Sequence, residues 1–150
     1  RRDMKTTQLL SQALAYRAAR QAGAATAFLV EDGMITEAAS ANIWIVDTKG
    51  RLITRNLSES ILPGITRAGV KKLLEGAGMA IEERAFTPDE ALQSAEIFTS
   101  SAGAMIAPVV KLEGHPVGSG TPGPVTRKVQ RLYYEAIGAD LAKAAPWVLG

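Results

Sequence analysis

Apolar residues recur at helical spacing in three stretches of the chain, each with a more polar opposite face. Gly23 and Gly78 follow the first two stretches, at the position where a left-handed residue ends a helix. Thr6 or Thr7 is placed to cap the first helix, and Ile65 opens the apolar face of the second. The expected helices cover residues 8–21, 65–77 and 124–142.

Short runs between these helices alternate or are continuously apolar, which is typical of strands. Asp32 and Gly33 separate two such runs and favour the positive φ angles of a tight hairpin turn. Residues 42–46 are apolar on both faces, so this strand belongs inside a layered structure. The pattern predicts a mixed α/β (α+β) fold, with a small meander of strands and a charged edge strand at 80–86. The expected strands cover residues 27–30, 35–37, 42–46, 51–54, 80–86, 95–99 and 105–112.

The composition narrows the class of protein. With 150 residues, 47% of them hydrophobic, the chain can bury one sizeable core as a single domain. A net charge of +2 and 5% aromatic residues argue against nucleic-acid binding, and no apolar run reaches membrane-spanning length. The chain has no cysteine, which excludes disulfides and thiolate chemistry and fits a reducing compartment such as the cytoplasm.

A polar loop over residues 58–67 contains Pro63 and Gly64 and opens the second predicted helix. Backbone N–H groups in the first turn of a helix lack intrahelical partners, and Gly64 lets a ligand approach the backbone closely. The loop therefore fits an anion such as a phosphate. The alternative is that Gly64 and Thr66 merely shape and cap an ordinary helix.

A second cluster of small residues, 100–103, follows the strand predicted at 95–99. Such a cluster can present several backbone N–H groups together, which would make it the second half of the anion site. The alternative is a plain turn of small residues.

Few ionisable residues occur where the end of a strand or loop could aim them inward. His115 is the only histidine and lies between Gly114 and Pro116 in a predicted turn, where a solvated side chain is the simpler interpretation. With one histidine and no cysteine, we expect neither a metal site nor a histidine-dependent triad. Lys5 and Glu37 remain as candidates.

A lysine, a carboxylate and a phosphate site have one specific use in combination. Lysine forms a Schiff base with an aldehyde cofactor, a carboxylate holds a pyridine nitrogen protonated, and helix amides anchor a phosphate. Pyridoxal 5′-phosphate offers all three groups, and it is the cofactor hypothesis for Lys5 and Glu37. The alternatives are that Lys5 is a solvated terminal charge and Glu37 an exposed strand-end carboxylate.

Five segments, in order along the chain, resemble those of the class IV (fold-type IV) pyridoxal-phosphate enzymes. Residues 1–5 (RRDMK), ahead of a Leu-Leu helix, look like the lysine segment of D-amino-acid aminotransferases. Residues 32–42 resemble the family's DGxxTE…SxN segment, and residues 61–67 are close to its LPGITR signature. Residues 98–102 and 120–126 resemble two further segments. The resemblance implies a mixed, mostly antiparallel pseudo-barrel sheet with surrounding helices.

The resemblance also implies roles around the ring of the cofactor. Lys5 would hold the cofactor as a Schiff base and, once released by substrate, move the proton between the substrate's α carbon and the cofactor's C4′ carbon. Glu37 would pair with the pyridine nitrogen and keep the ring an electron sink. Leu62 would pack on one face of the ring.

The phosphate would be held from two sides. On one side the resemblance places Gly64, the N–H groups of Ile65 and Thr66, and the Thr66 hydroxyl. On the other side it places Ser101 and the N–H group of Ala102. D-amino-acid aminotransferases commonly carry a threonine where Ala102 stands, so one side-chain hydrogen bond is lost here and the amide remains.

In this family a separate N-terminal domain precedes the lysine segment. It supplies a phosphate-binding arginine, the residues that grip the substrate carboxylate and much of the dimer contact. Because the chain starts at Arg1, directly at the lysine segment, we expect it to be the cofactor-binding C-terminal domain of a longer enzyme that forms a homodimer.

The implied activity is transfer of the amino group of an amino acid to a 2-oxo acid. The Arg-x-Asp-x-Lys context of Lys5 favours a D-amino acid such as D-alanine. Branched-chain aminotransferase and aminodeoxychorismate lyase, which share the fold, are the close alternatives. An alternative of another class is a non-catalytic module that binds a phosphorylated ligand.

Overall fold

The computed structural model describes residues 1–7 and 9–148. Its helices are α1 (Leu10–Gln21), α2 (Ile65–Gly76), α3 (Pro88–Leu92), α4 (Pro124–Ala136) and α5 (Leu141–Ala144), and a 3₁₀ turn covers Pro146–Val148. Its strands are β1 (Phe28–Glu31), β2 (Met34–Ala38), β3 (Asn42–Val46), β4 (Leu52–Thr54), β5 (Ile81–Glu83), β6 (Glu96–Ser101), β7 (Met105–Val109), β8 (Lys111–Leu112) and β9 (His115–Pro116). The predicted mixed α/β class is confirmed.

Strand β3 is the centre of a five-stranded sheet with the order β5-β4-β3-β6-β7. It pairs antiparallel with β4 and β6, β6 pairs antiparallel with β7, and β4 runs parallel to β5. All five residues of β3 are buried, as its apolar run predicts. Strand β5 lies at the edge with Glu82 and Glu83 exposed, which confirms the prediction of a charged edge strand.

Strands β1 and β2 form a hairpin that stands apart from the main sheet. Asp32 and Gly33 have φ angles of 51° and 75°, so the predicted tight turn is confirmed. The predicted meander is wrong at its centre, because β2 and β3 do not pair as neighbouring strands and only an isolated bridge between Ala38 and Ala41 joins them at their ends. The chain turns so sharply after β2 that the hairpin packs over one face of the main sheet instead of extending it.

The main sheet separates two apolar cores. Ile43 and Ile45 point toward the β1–β2 hairpin and α3, and belong to the first core. Trp44 and Val46 point the other way, toward α2 and α4, and belong to the second. The Trp44 ring stacks on that of Phe98 with centroids 5.6 Å apart. The alternation of a strand thus makes β3 the middle layer of the molecule.

Glycines end three of the helices. Gly23 and Gly78 adopt φ angles of 74° and 72° after α1 and α2, as predicted. The helix predicted over residues 124–142 is too long, because α4 ends at Ala136 and Gly138 is left-handed with φ 70°. A glycine inside an apolar periodicity therefore ends this helix, and α5 is a separate short turn of helix.

The start of α1 differs from the prediction. Leu9 is the N-cap residue, and no side chain caps the helix, so neither Thr6 nor Thr7 has the predicted role. The predicted first residue, Gln8, lies outside the described residues. The leucine side chains on the apolar face of α1 are more than half exposed, so this face does not pack into either core.

The single strand predicted over residues 105–112 is divided in two. Strand β7 belongs to the main sheet, and β8 forms a small hairpin with β9. The turn of this hairpin is Glu113-Gly114, whose φ angles are 50° and 80°. His115 is therefore the first residue of β9 and not a turn residue, although its side chain is exposed as expected.

Candidate functional site

Helix α2 begins after a loop that leaves its N-terminus open. Gly64 is the N-cap residue, with φ −64° and ψ 134°, and no side chain caps the helix. Of the two residues that the ordinary-helix alternative makes capping residues, Gly64 is the N-cap and Thr66 lies buried within the first turn. The phosphate-binding role of this loop stays a prediction. Ile65 is 84% exposed and does not extend the apolar face as predicted, because Val70 and Leu74 are the residues that meet the sheet.

The peptide groups of Leu62 are held from two strands. Its N–H group donates to Oε2 of Glu37, at the end of β2, over 2.9 Å. Its carbonyl accepts from Nδ2 of Asn42, at the start of β3, also over 2.9 Å. Two hydrogen bonds from separate strands fix the loop, so the start of α2 has a defined position relative to Glu37.

Asn42 also explains why a glycine occupies position 64. A Cβ atom built on Gly64 would overlap Oδ1 of Asn42. The φ angle of Gly64 is one that any residue adopts, so this position requires glycine for space and not for conformation. Sequence reasoning gave Asn42 no role, although it is the last residue of the SxN pattern in segment 32–42.

Glu37 is a buried carboxylate at the end of β2, with a residue exposure of 6%. The alternative of an exposed strand-end carboxylate is therefore wrong. Burial raises the pKa of Glu37, and the Leu62 N–H group and the nearby guanidinium of Arg2 oppose that rise. Nη1 of Arg2 lies 3.8 Å from Oε1 of Glu37, an ion pair without a hydrogen bond.

The N-terminal segment lies against the same loop. The Arg2 N–H group donates to the Glu59 carbonyl over 2.7 Å. Lys5 follows on this segment with an exposed side chain. The structure thus brings Arg2, which sequence reasoning overlooked, to Glu37, and the role of Lys5 stays a prediction.

The turn after β6 reaches the same region through the register of the sheet. Asn42 pairs with Ser100 across β3 and β6, so Ser101 and Ala102 follow directly beyond the residue that braces the loop. Ser101 Oγ accepts the Ala104 N–H group over 3.1 Å and keeps its own hydrogen to donate. Ala102 is exposed. The role of Ser101 and Ala102 in binding phosphate stays a prediction, beside the alternative of a plain turn.

Arg67, the last residue of the LPGITR-like run, fixes the first turn of α2 against the main sheet. It is 4% exposed, and its Nη2 donates to the Arg55 carbonyl over 2.9 Å and to Glu83 over 2.7 Å. Its guanidinium lies 5.9 Å from the centroid of the Trp44 ring. These contacts join α2 to β4, β5 and the centre of the sheet.

Metal sites and membrane-spanning helices are two further features that bear on function. Residues 1–7 and 9–148 contain no group of three or more histidine, cysteine, aspartate or glutamate side chains that could hold a metal ion. In the same stretches, no helix combines the length and the apolar character needed to cross a membrane. The groups present at the site are the buried Glu37 carboxylate and the uncapped amides of α2.

Known proteins resemble this chain over most of its length. A family model for amino-transferase class IV matches residues 1–112. The D-alanine aminotransferase of Bacillus licheniformis is 37% identical over 141 residues, which cover 94% of this chain and 50% of that protein. A probable branched-chain-amino-acid aminotransferase of Aquifex aeolicus is 31% identical over 141 residues, or 93% of this chain and 45% of that protein.

Solved structures share the fold. The branched-chain amino acid aminotransferase of Thermobaculum terrenum in its PLP form matches with a TM-score of 0.86 and 30% identity, over 94% of this chain and 47% of that one. That of Escherichia coli matches with a TM-score of 0.81 and 33% identity, over 85% and 43%. The chain spans about half the length of the curated relatives it matches. The predicted resemblance is confirmed: this chain belongs to the class IV aminotransferases.

Proposed function

We propose that this chain is the cofactor-binding part of a pyridoxal-phosphate-dependent aminotransferase. The observation that carries the proposal is the position of Leu62. Its N–H group fixes the buried Glu37 carboxylate, and three residues later the same backbone opens α2. One short segment therefore sets the distance between a carboxylate suited to a pyridine nitrogen and a helix end suited to a phosphate.

The residues present fit the cofactor. Oε1 of Glu37 accepts no hydrogen bond from the described residues, so it is free to accept one from a protonated ring nitrogen. The first turn of α2 has uncapped amides for the phosphate. The relative from Thermobaculum terrenum was solved in a PLP form, which supports the assignment.

When bound, pyridoxal phosphate supplies an aldehyde that condenses with amines and a ring that accepts the electron pair released at the substrate's α carbon. Glu37 accepts a hydrogen bond from the ring nitrogen and stabilises its positive charge. Lys5 supplies the amine that holds the cofactor and, once displaced by substrate, moves the proton at the α carbon. The half-buried Leu62 would pack on the ring.

Two backbone segments would hold the phosphate. Ile65 and Thr66 would donate their amides from the start of α2, and Gly64, by lacking a Cβ atom, lets Asn42 pack against the loop and hold that end in place. Ser101 and the Ala102 amide donate from the turn after β6. The negative phosphate is favoured at the positive end of the α2 dipole.

For the substrates we favour a D-amino acid such as D-alanine, with a 2-oxo acid as the acceptor. Relatives of both kinds have similar identities, 37% for a D-alanine aminotransferase and 36% for a branched-chain-amino-acid aminotransferase-like protein, so the Arg-x-Asp-x-Lys context of Lys5 carries this choice. Branched-chain L-amino acids are the second candidate, because the structural relatives are branched-chain aminotransferases. The proposal extends to a cytoplasmic homodimer of the full-length protein, with a further domain on the N-terminal side.

Absorbance tests the cofactor assignment. The natural full-length protein with pyridoxal phosphate should show a visible band that borohydride removes. Lys5→Ala should abolish the band, and Lys49→Ala, at an exposed lysine in a turn, should keep it. Absence of the band in the unaltered protein would favour the non-catalytic, phospho-ligand-binding alternative and end the enzyme proposal.

Turnover tests the substrate assignment. The full-length protein is incubated with D-alanine and 2-oxoglutarate, with L-leucine and 2-oxoglutarate, and with aminodeoxychorismate. We expect release of pyruvate from D-alanine, dependent on the 2-oxo acid. Turnover of L-leucine alone would establish the branched-chain assignment instead, and pyruvate from aminodeoxychorismate alone would establish the lyase.

A further inference from the structure

Arg2 lies beside the functional carboxylate without a hydrogen bond to it. Its Nη1 is 3.8 Å from Oε1 of Glu37, and this nitrogen is buried and has no hydrogen-bond partner among the described residues. The backbone of Arg2 is fixed, because its N–H group donates to the Glu59 carbonyl over 2.7 Å. The guanidinium is therefore held on the Oε1 side of the carboxylate.

The positive charge of Arg2 is important because of the surroundings of Glu37. Each element near the carboxylate contributes one group: the loop gives the neutral Leu62 N–H on Oε2, and the N-terminal segment gives Arg2. Among the described residues, Arg2 carries the only basic side chain within 4 Å of Glu37. Burial favours the neutral acid, so the ionised form depends on Arg2 until another cation arrives.

We propose that Arg2 is a positioning residue for Glu37, which it keeps ionised and oriented with Oε1 toward the ring nitrogen of the cofactor. This inference rests on the proposed function. Leu62 holds one oxygen and Arg2 faces the other, so the two groups together set the plane of the carboxylate. A neutral acid at this position could not stabilise a positively charged ring nitrogen, because it lacks the opposite charge.

Titration of Glu37 in the cofactor-free full-length protein tests the inference directly. The variants are Arg2→Met, Arg2→Lys and, as the matched control, Arg1→Met. Arg1 is the neighbouring arginine, but it is 60% exposed and binds Asp3. The carboxyl ¹³C resonance of Glu37 is assigned by its loss in Glu37→Gln. We expect its pKa to rise by about one unit in Arg2→Met, to rise less in Arg2→Lys and to stay unchanged in Arg1→Met.

The pH dependence of pyridoxal-phosphate affinity gives a second readout. In Arg2→Met the pH at which affinity falls on acidification should move upward, by the same shift as the Glu37 pKa. Arg2→Lys should restore part of that shift. An Arg2→Met protein that titrates and binds like the unaltered one would overturn the role of Arg2. Failure of the unaltered protein to bind the cofactor would instead overturn the proposed function, so the two failures are distinguishable.

Discussion

Glu37 is the residue at which the demands of folding and of function conflict. Burial raises its pKa, so the folded chain binds a proton at this carboxyl more tightly than the unfolded chain does. Its contribution to stability is therefore full below the ordinary pKa of 4.5 and is lost as the pH rises through the folded-state value. An ionised Glu37, which the proposed function requires, therefore lowers the stability of the cofactor-free protein.

Replacing Glu37 by glutamine should therefore stabilise the cofactor-free protein at pH 7. The glutamine carbonyl can still accept the Leu62 N–H group, while the charge is removed. We expect a higher Tm than that of the unaltered protein at pH 7 and a gain that disappears as the pH falls below about 4.5. Glu31→Gln, at an exposed position of β1, serves as the control and should change little. A lower Tm of Glu37→Gln at pH 7 would contradict this account.

Single residues of the site were predictable only where local pattern determined them. Glu37 follows an Asp-Gly turn on a strand, and Gly64 precedes an apolar helix, so both could be placed from the sequence. The roles of Asn42 and Arg2 could not be predicted, because each depends on a contact between distant parts of the chain. Asn42 binds Leu62, 20 positions later, and Arg2 lies beside Glu37, 35 positions later. Such contacts depend on the packing of separate elements and leave no periodic signal.

Helices α2 and α4 both begin after a glycine N-cap residue, but a carboxylate binds the first amides of α4 and no side chain caps α2. At α4 the buried Glu96 accepts the amides of Val125 and Thr126 over 2.9 and 2.7 Å. Gly123 makes room, since a Cβ atom there would overlap Glu96. The protein's own carboxylate thus occupies the anion site of α4, whereas no side chain caps α2. Helix α1 is uncapped as well, but α2 is the helix that begins three residues after Leu62, whose N–H group binds Glu37.

The element-scale prediction concerns the attachment of α4 to β6. Glu96→Gln should lower the free energy of unfolding by about 2 kcal/mol, because an amide NH₂ group would face a backbone N–H and leave it unpaired. Urea unfolding of the full-length protein measures the change. Glu135→Gln, exposed on α4, is the control and should alter stability by less than about 0.5 kcal/mol. Equal stability of the two variants would show that Glu96 does not anchor the helix.

A helix or hairpin could be predicted from the sequence when residues next to its end determine where it stops. Gly23, Gly78 and the Asp32-Gly33 turn fix their neighbours through φ angles that other residues rarely adopt, and these predictions were correct. The predicted length of α4 was wrong because the apolar periodicity of the sequence continues past Gly138, whereas the helical backbone ends before it. The exposure of the apolar face of α1 was not predicted. An amphipathic pattern shows that one face of a helix is apolar, but it does not show what that face contacts.

In the whole molecule, the candidate site lies at the start of β3, between elements that pack into the two different cores. The core around Ile43 and Ile45 holds the hairpin that carries Glu37, and the core around Trp44 holds α2. Strand β3 belongs to both, and its first residue, Asn42, binds the loop between them. The distance from Glu37 to the start of α2 is therefore a property of the packed sheet. Sequence motifs identified the two parts, and only the fold relates them.

Because the site joins two cores, cofactor binding should stabilise the whole fold. With pyridoxal phosphate at about a hundred times its Kd, the free energy of unfolding of the full-length protein should rise by about 2.7 kcal/mol. Gly64→Ala should remove most of this gain, since its Cβ atom would overlap Asn42 Oδ1 and displace the loop that joins the cores. Urea unfolding with and without the cofactor measures both effects.

Gly69→Ala is the matched control, because this glycine lies in the same helix with nothing within 4 Å of an added Cβ atom. The Gly69→Ala protein should keep the full cofactor-dependent rise in the free energy of unfolding. Without cofactor it should be more stable than the unaltered protein by up to about 1 kcal/mol, since alanine is the better helix former. A Gly64→Ala protein that gains as much from pyridoxal phosphate as Gly69→Ala would mean that the loop tolerates the added methyl. The Asn42 brace would then not determine the position of the phosphate site.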